Sequence, residues 1–163
     1  MTVATTAPAD LSLGALGGEP RTLDEWVTTF HLVVVVIDPY TDQSAWILPT
    51  AARVLATFRG ADCRVGWLVT ADDADAKAFL GPYADEFLTL TDPDRSFVKS
   101  LEIERLPALI HVRHDLAVVG AAEGWDPAEW KAVTDNLGTI MSWSKPVLPS
   151  AGDPTPFHGS PAT

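Results

Sequence analysis

The chain has almost no sulfur chemistry: one cysteine, Cys63, stands among 163 residues. A single thiol cannot close an intramolecular disulfide, and it cannot supply the cysteine pairs of a zinc ribbon or an iron–sulfur cluster. That usage fits a reducing compartment, most simply the cytoplasm. Basic residues are also scarce, with 11 Lys and Arg against 22 Asp and Glu and a net charge of −11. Such a surface repels phosphate backbones and anionic lipid, so nucleic acid is not an expected partner. No run reaches the roughly 18 apolar residues of a membrane span. Met1 to Asp10 also lacks the basic start and apolar core of an export signal. What the chain does have is 47% hydrophobic residues, enough for one sizeable core.

The elements follow from pattern. Ala9 to Gly14 alternates apolar and polar residues, and Gly17-Gly18 supplies a turn, which predicts an N-terminal hairpin. Thr22 with Glu25 at +3 fits a capping box, so a helix is expected over Leu23 to Phe30, with Trp26 and Phe30 on its buried face. His31 to Ile37 is a near-continuous β-branched run, the pattern of a central strand covered on both faces. Ile47, Ala51, Val54, Leu55 and Phe58 form one helical stripe, with Pro49 inside it. Cys63 to Val69 then predicts a second strand, parallel to the first because a helix intervenes. Beyond it come a helix from Asp72 to Leu80, a strand at Phe87 to Leu90, and a helix from Pro93 to Leu101 capped by Asp92. A hairpin of Ala108 to Val112 with Leu116 to Gly120 follows, and then a helix with Asp126 as cap and Trp130, Val133, Leu137, Ile140 and Met141 as its apolar stripe. The expected organisation is a flexible segment 1–8, a domain over 9–144 and a proline-rich tail over 145–163.

This order of elements resembles the thioredoxin-like superfamily, in particular its TlpA and peroxiredoxin-like (redoxin) branch, over roughly Ala9 to Ser142. Three matches carry the likeness. Leu11-Ser12-Leu13 with Gly18-Glu19-Pro20 and Leu23 looks like the opening of that family. Thr91-Asp92-Pro93-Asp94 with Leu106-Pro107-Ala108 looks like its D-P-x helix and cis-proline loop. Val36 to Pro49 resembles its redox loop F-W-x-x-W-C-x-x-C-x-x-x-x-P. Aligned on Pro49, the two cysteines of the family fall on Thr41 and Ser44, and its tryptophan falls on Tyr40. The resemblance therefore implies an α/β fold of three layers, a central mixed sheet with helices on both faces and an N-terminal hairpin extension. It also implies a cis bond at Leu106-Pro107. The chemistry of the family is another matter, because thiol–disulfide exchange needs a thiolate and a hydroxyl stays protonated.

Thr41 and Ser44 could form a hydroxyl nucleophile pair, but no base stands beside them in sequence, and a Thr at a helix start usually caps it. Cys63 shares a strand face with Val65 and Trp67 and reads as an inert core thiol; redox sensing or one-cysteine peroxidase work is the alternative. His111, His114 and Asp115 read as a solvated turn rather than a metal site. Neither metal nor cofactor is expected. Trp46 lies off the buried stripe of its helix and either lines a binding surface or packs under the hairpin. The resemblance implies a groove formed by Tyr40, Thr41, Asp42, Ser44 and Trp46 on one side and Arg105, Leu106 and Pro107 on the other. There the residue before the proline offers backbone hydrogen bonds to an extended segment of a partner protein.

The function expected is thus a non-catalytic protein-binding, chaperone-like or accessory module. The tail, Lys145 to Thr163, holds five of the thirteen prolines and shows no apolar period, so it should be extended or disordered and outside the core. Val147, Leu148 and Phe157 nevertheless suit an arm docked on a partner or on a sheet edge of the domain itself, and this is the favoured reading.

Overall fold

In a computed structural model, residues 3–163 are described. Strand β3 (His31–Ile37) is buried along its whole length. It pairs in parallel with β4 (Cys63–Val69) and antiparallel with β7 (Ala108–Val112). Around this centre lie β1 (Ser12–Ala15), β2 (Gly18–Thr22), β5 (Leu88–Thr91) and β8 (Val118–Glu123), in the order β2-β1-β5-β4-β3-β7-β8. The sheet is mixed: β4 and β5 are parallel, whereas β1 joins both β2 and β5 antiparallel.

Because strand side chains alternate, β3 feeds two cores. Val33, Val35 and Ile37 pack under α2 (Asp42–Phe58) and α6 (Pro127–Met141). The predicted stripe of α2 is fully buried, and Trp130, Val133 and Leu137 of α6 join the same core. Leu32, Val34 and Val36 face α1 (Leu23–Trp26), α5 (Ser96–Ser100) and the hairpin. Helices α3 (Asp73–Leu80) and α4 (Tyr83–Glu86) bridge β4 to β5. The result is the expected three-layer α/β architecture.

Several local expectations are corrected. The capping box at Thr22 and Glu25 forms, but α1 ends at Trp26 and leaves Phe30 37% exposed. The β-branched run Val27-Thr28-Thr29 weakens helix propagation just before β3 begins. Helix α5 starts at Ser96 rather than Pro93, because Arg95 adopts a left-handed conformation with φ of 58°. Asp92 still accepts from a backbone N–H near the helix start, that of Phe97 at 3.0 Å. Leu116 takes a positive φ and belongs to the turn, so β8 runs later than expected. Ile140 lies on the exposed side of α6.

The described part of the N-terminal segment and the tail both meet the domain. The segment expected to be flexible is tied by Ala4 N to Leu101 O and Ala7 N to Leu116 O, both 2.8 Å, with Ala7 buried. The tail contributes Leu148 to one core and Ala162 to the other. Its last residues form β9 (Ser160–Pro161), paired antiparallel with the short strand β6 (Arg105–Leu106). The arm therefore lies on a sheet edge of the domain itself, with Leu148 buried, Phe157 half-buried and Val147 exposed; a tail outside the core is not what is seen, and main-chain pairing of Ser160 and Pro161 needs no apolar periodicity.

Candidate functional site

Strand β3 ends at Asp38-Pro39, and the chain turns through Tyr40 and Thr41 into α2. Thr41 occupies the N-cap position, yet its side chain makes no capping bond. The expectation of a cap is therefore corrected. The Ser44 hydroxyl donates to the Asp38 carbonyl, so Thr41 donates to Ser44 across 2.7 Å. Among the described residues neither hydroxyl bonds a carboxylate or an imidazole, and no general base is poised to activate them. Asp42 lies exposed in the first turn of α2, where its charge complements the helix dipole. Tyr40 is 65% exposed, and its hydroxyl donates to Asp75 at 2.6 Å. That bond to a carboxylate holds the phenol pKa up at about 12.

Across from this loop, the Leu106–Pro107 peptide is cis, as the resemblance implied. The backbone of β6 is engaged on two sides. The Glu123 carboxylate accepts from Glu104 N (2.6 Å) and Arg105 N (3.2 Å). On the other side Arg105 and Leu106 pair with Pro161 and Ser160, and Ala162 N donates to Glu104 O at 2.9 Å. Trp46, 56% exposed, is not under the hairpin; its ring meets Phe157 of the tail edge-on at 6.1 Å. The structure thus brings the eight expected groove residues to one end of the sheet, together with a segment of the tail.

Arg95 joins the two sides and was not anticipated. Its guanidinium donates to Asp38 Oδ2 at 3.1 Å and to the Ala162 carbonyl. Asp38 in turn accepts from Tyr40 N at 2.9 Å. No local sequence signal marks this link, since Asp38, Arg95 and Ala162 are far apart in the chain.

Cys63 lies at the opposite end of the sheet, one strand length or about 20 Å from the start of α2. Its Sγ is 3.6 Å from the Phe58 carbonyl, and burial pushes the thiol up to about 11. A thiol so held is almost wholly protonated near neutrality and a poor nucleophile. Beside it the reading of His111 as part of a solvated turn is corrected, whereas His114 does lie exposed in that turn. His111 is completely buried, and its Nε2 lies 2.8 Å from His31 Nδ1. His114 meets the His31 ring edge-on at 4.7 Å and bonds the Val27 carbonyl. Strand parity governs His111, whereas His114 sits beyond the strand end, so parity could not separate them. Among the described residues no group of three or more His, Cys, Asp or Glu is arranged to hold a metal ion. No described helix is long and apolar enough to cross a membrane.

No family model matches the chain, and no curated protein matches it either. Solved structures do. A protein described as the thiol:disulfide interchange protein DsbE of Chlorobium tepidum is 17% identical, with 86% of this chain and 99% of that one covered at a TM-score of 0.69. A hypothetical protein of Sinorhizobium meliloti, also 17% identical, covers 99% of this chain and 94% of its own at 0.69. A cysteine-to-serine variant of Xanthomonas campestris peroxiredoxin Q is 14% identical and covers 87% and 98% at 0.66. The fold is that of the thioredoxin-like redoxins.

Proposed function

We propose that this chain is a non-catalytic thioredoxin-like protein, a chaperone-like or accessory module of the cytoplasm that binds an extended segment of a partner protein and does not exchange disulfides. The observation that carries the reading is the Thr41–Ser44 pair. Two hydroxyls hydrogen-bonded to each other stand where the resemblance places the exchanging sulfurs. A hydroxyl neither ionises near neutrality nor forms a mixed disulfide. The pairing of β6 with β9 also supports the reading, because it is strand addition at the residues just before Pro107. Tyr40, Thr41, Asp42, Ser44 and Trp46 on one side and Arg105, Leu106 and Pro107 on the other form the binding groove in this reading.

An insulin-reduction assay with a dithiol reductant tests it. We expect no turnover above a Cys63→Ser control. Turnover that the control abolishes would instead favour the alternative, a one-cysteine peroxidase or thiol sensor using Cys63. Titration with a thiol reagent separates the same two readings: an inert core thiol reacts only after unfolding.

Placement of the loop has its own test. In a Cys63→Ser background, Thr41→Cys with Ser44→Cys should yield a disulfide on mild oxidation, since the native oxygens are already 2.7 Å apart. Two thiols that remain free under oxidant would show that α2 does not hold these positions together.

A further inference from the structure

The last eleven residues behave as two parts. Asp153 is a firm anchor: its carboxylate takes both Arg53 Nη1 (2.6 Å) and Nη2 (2.9 Å), Thr50 Oγ1 (2.8 Å) and Ser150 N (2.7 Å). Just before it, Leu148 is sunk in the core under α2. Beyond Asp153 the chain crosses the groove with little apolar burial. Ala162 is its one fully buried side chain, and Phe157 is half-buried against Trp46. The crossing is held mostly by main-chain and polar contacts. Trp125 Nε1 donates to Pro154 O at 2.8 Å, and Trp125 and Phe157 exchange backbone bonds of 2.9 and 3.1 Å. β9 then pairs with β6, and Arg95 takes the Ala162 carbonyl.

We infer that residues 154–163 are a releasable strap occupying the peptide edge of β6, and that the segment they exclude is an extended peptide of the same chemistry, small–Pro–small, from a partner protein. The inference rests on the binding reading proposed above and adds the occupant and the motif. The motif follows from the register. Ser160 stands opposite Leu106, and Pro161 opposite Arg105. Ala162 fills a site with no exposed surface, where a larger side chain has no room. Arg95, held by Asp38, receives the carbonyl that follows. Main-chain bonds read no side chain, so a partner segment of this shape recovers the contacts that Ser160, Pro161 and Ala162 make with β6 and Arg95. Three prolines at 154, 156 and 161 lower the ordering cost for the strap. Tethering at Asp153 gives it an effective concentration in the millimolar range, which an incoming peptide must overcome.

Two glycines separate strap from edge. Gly159, with φ of +91°, lies on the strap, and a Cβ there would stand 2.5 Å from Leu106 O. Gly124, with φ of +70°, lies on the domain, and a Cβ there would stand 2.4 Å from His158 O. Gly159→Val therefore expels the strap and leaves the edge intact for a peptide added in trans. Gly124→Val blocks both.

The probe is a fluorescein-labelled peptide with the sequence of residues 155–163, titrated by anisotropy into the full-length proteins. We expect Gly159→Val to bind at least tenfold more tightly than the unaltered chain and than Gly124→Val. The peptide carrying Ala162→Arg should bind none of them. Equal binding to the unaltered chain and to Gly159→Val would overturn the strap while leaving the binding edge standing. No binding to Gly159→Val, with its fold intact by circular dichroism, would remove the edge and the strap together. A Gly159→Val chain that no longer folds would show that these residues are a fixed part of the domain, and that too overturns the proposal.

Discussion

Replacing Trp125 by Ala is expected to lower the unfolding free energy by about 3–5 kcal/mol, the usual cost of truncating a buried tryptophan. Trp125 is completely buried and packs edge-on against Trp130 at 5.2 Å. Its indole N–H donates to Pro154 O, so truncation opens a cavity under α6 and leaves a carbonyl of the C-terminal segment without its donor. The backbone exchange between Trp125 and Phe157 can survive the substitution, and so the strap should loosen rather than vanish. Urea unfolding monitored by circular dichroism measures the loss. With total stabilities of about 5–15 kcal/mol for domains of this kind, the variant should be close to unfolding at 37 °C. Trp125→Phe, which keeps most of the volume and loses the N–H, should fall between the two. A loss below about 1 kcal/mol for the alanine variant would contradict the packing described.

Acid should destabilise the protein between about pH 6.5 and pH 4 through a buried imidazole. His111 is buried, and burial together with the neighbouring His31 lowers its pKa to about 4. The unfolded chain holds the same imidazole near 6.5 and thus binds more protons throughout that window. Stability present above pH 6.5 is lost as pH falls through the window, and the loss is complete below the folded value. A shift of this size corresponds to about 3 kcal/mol at most. The surroundings agree with the direction: Arg113 lowers both His31 and His111, and Asp115 opposes it only at His31, itself lowered chiefly by burial. A firmly paired carboxylate acts elsewhere on the pH scale. Asp153 is lowered to about 2, chiefly by its hydrogen bond with Arg53, and its contribution is lost only as pH falls below about 4. Thermal midpoints across pH 4–8 test the claim. His111→Phe should flatten the slope between pH 4 and 6.5 and leave the steeper loss below pH 4. An unchanged slope in that variant would rule His111 out as its source.

The elements that were legible in the sequence are those whose physics is local. A β-branched run cannot be exposed cheaply, so His31 to Ile37 had to be a central strand. The stripe from Ile47 to Phe58 could only be one helix face, and Asp126-Pro127 could only start a helix. Thr41 and Ser44 were found by spacing from Pro49, yet their hydroxyls turned to each other and to Asp38 rather than to the free N–H groups of α2. Capping propensity is a preference of single residues, and here donation to Ser44 and to the Asp38 carbonyl turns these hydroxyls away from the N–H groups they would cap.

Polar contacts over long sequence distances could not be read that way. His31 and His111 are 80 positions apart, and Arg95 reaches Ala162 across 67. Nothing in the composition of the tail marked Ser160 and Pro161 as a strand, because a ladder between β6 and β9 is made of backbone groups that every sequence carries. The sequence alone determined the layers, the parallel β3–β4 pair and the absence of a second thiol. Tertiary structure decided what occupies the groove, since burial and strand pairing depend on which distant segments arrive at the same edge, and local pattern does not encode that meeting.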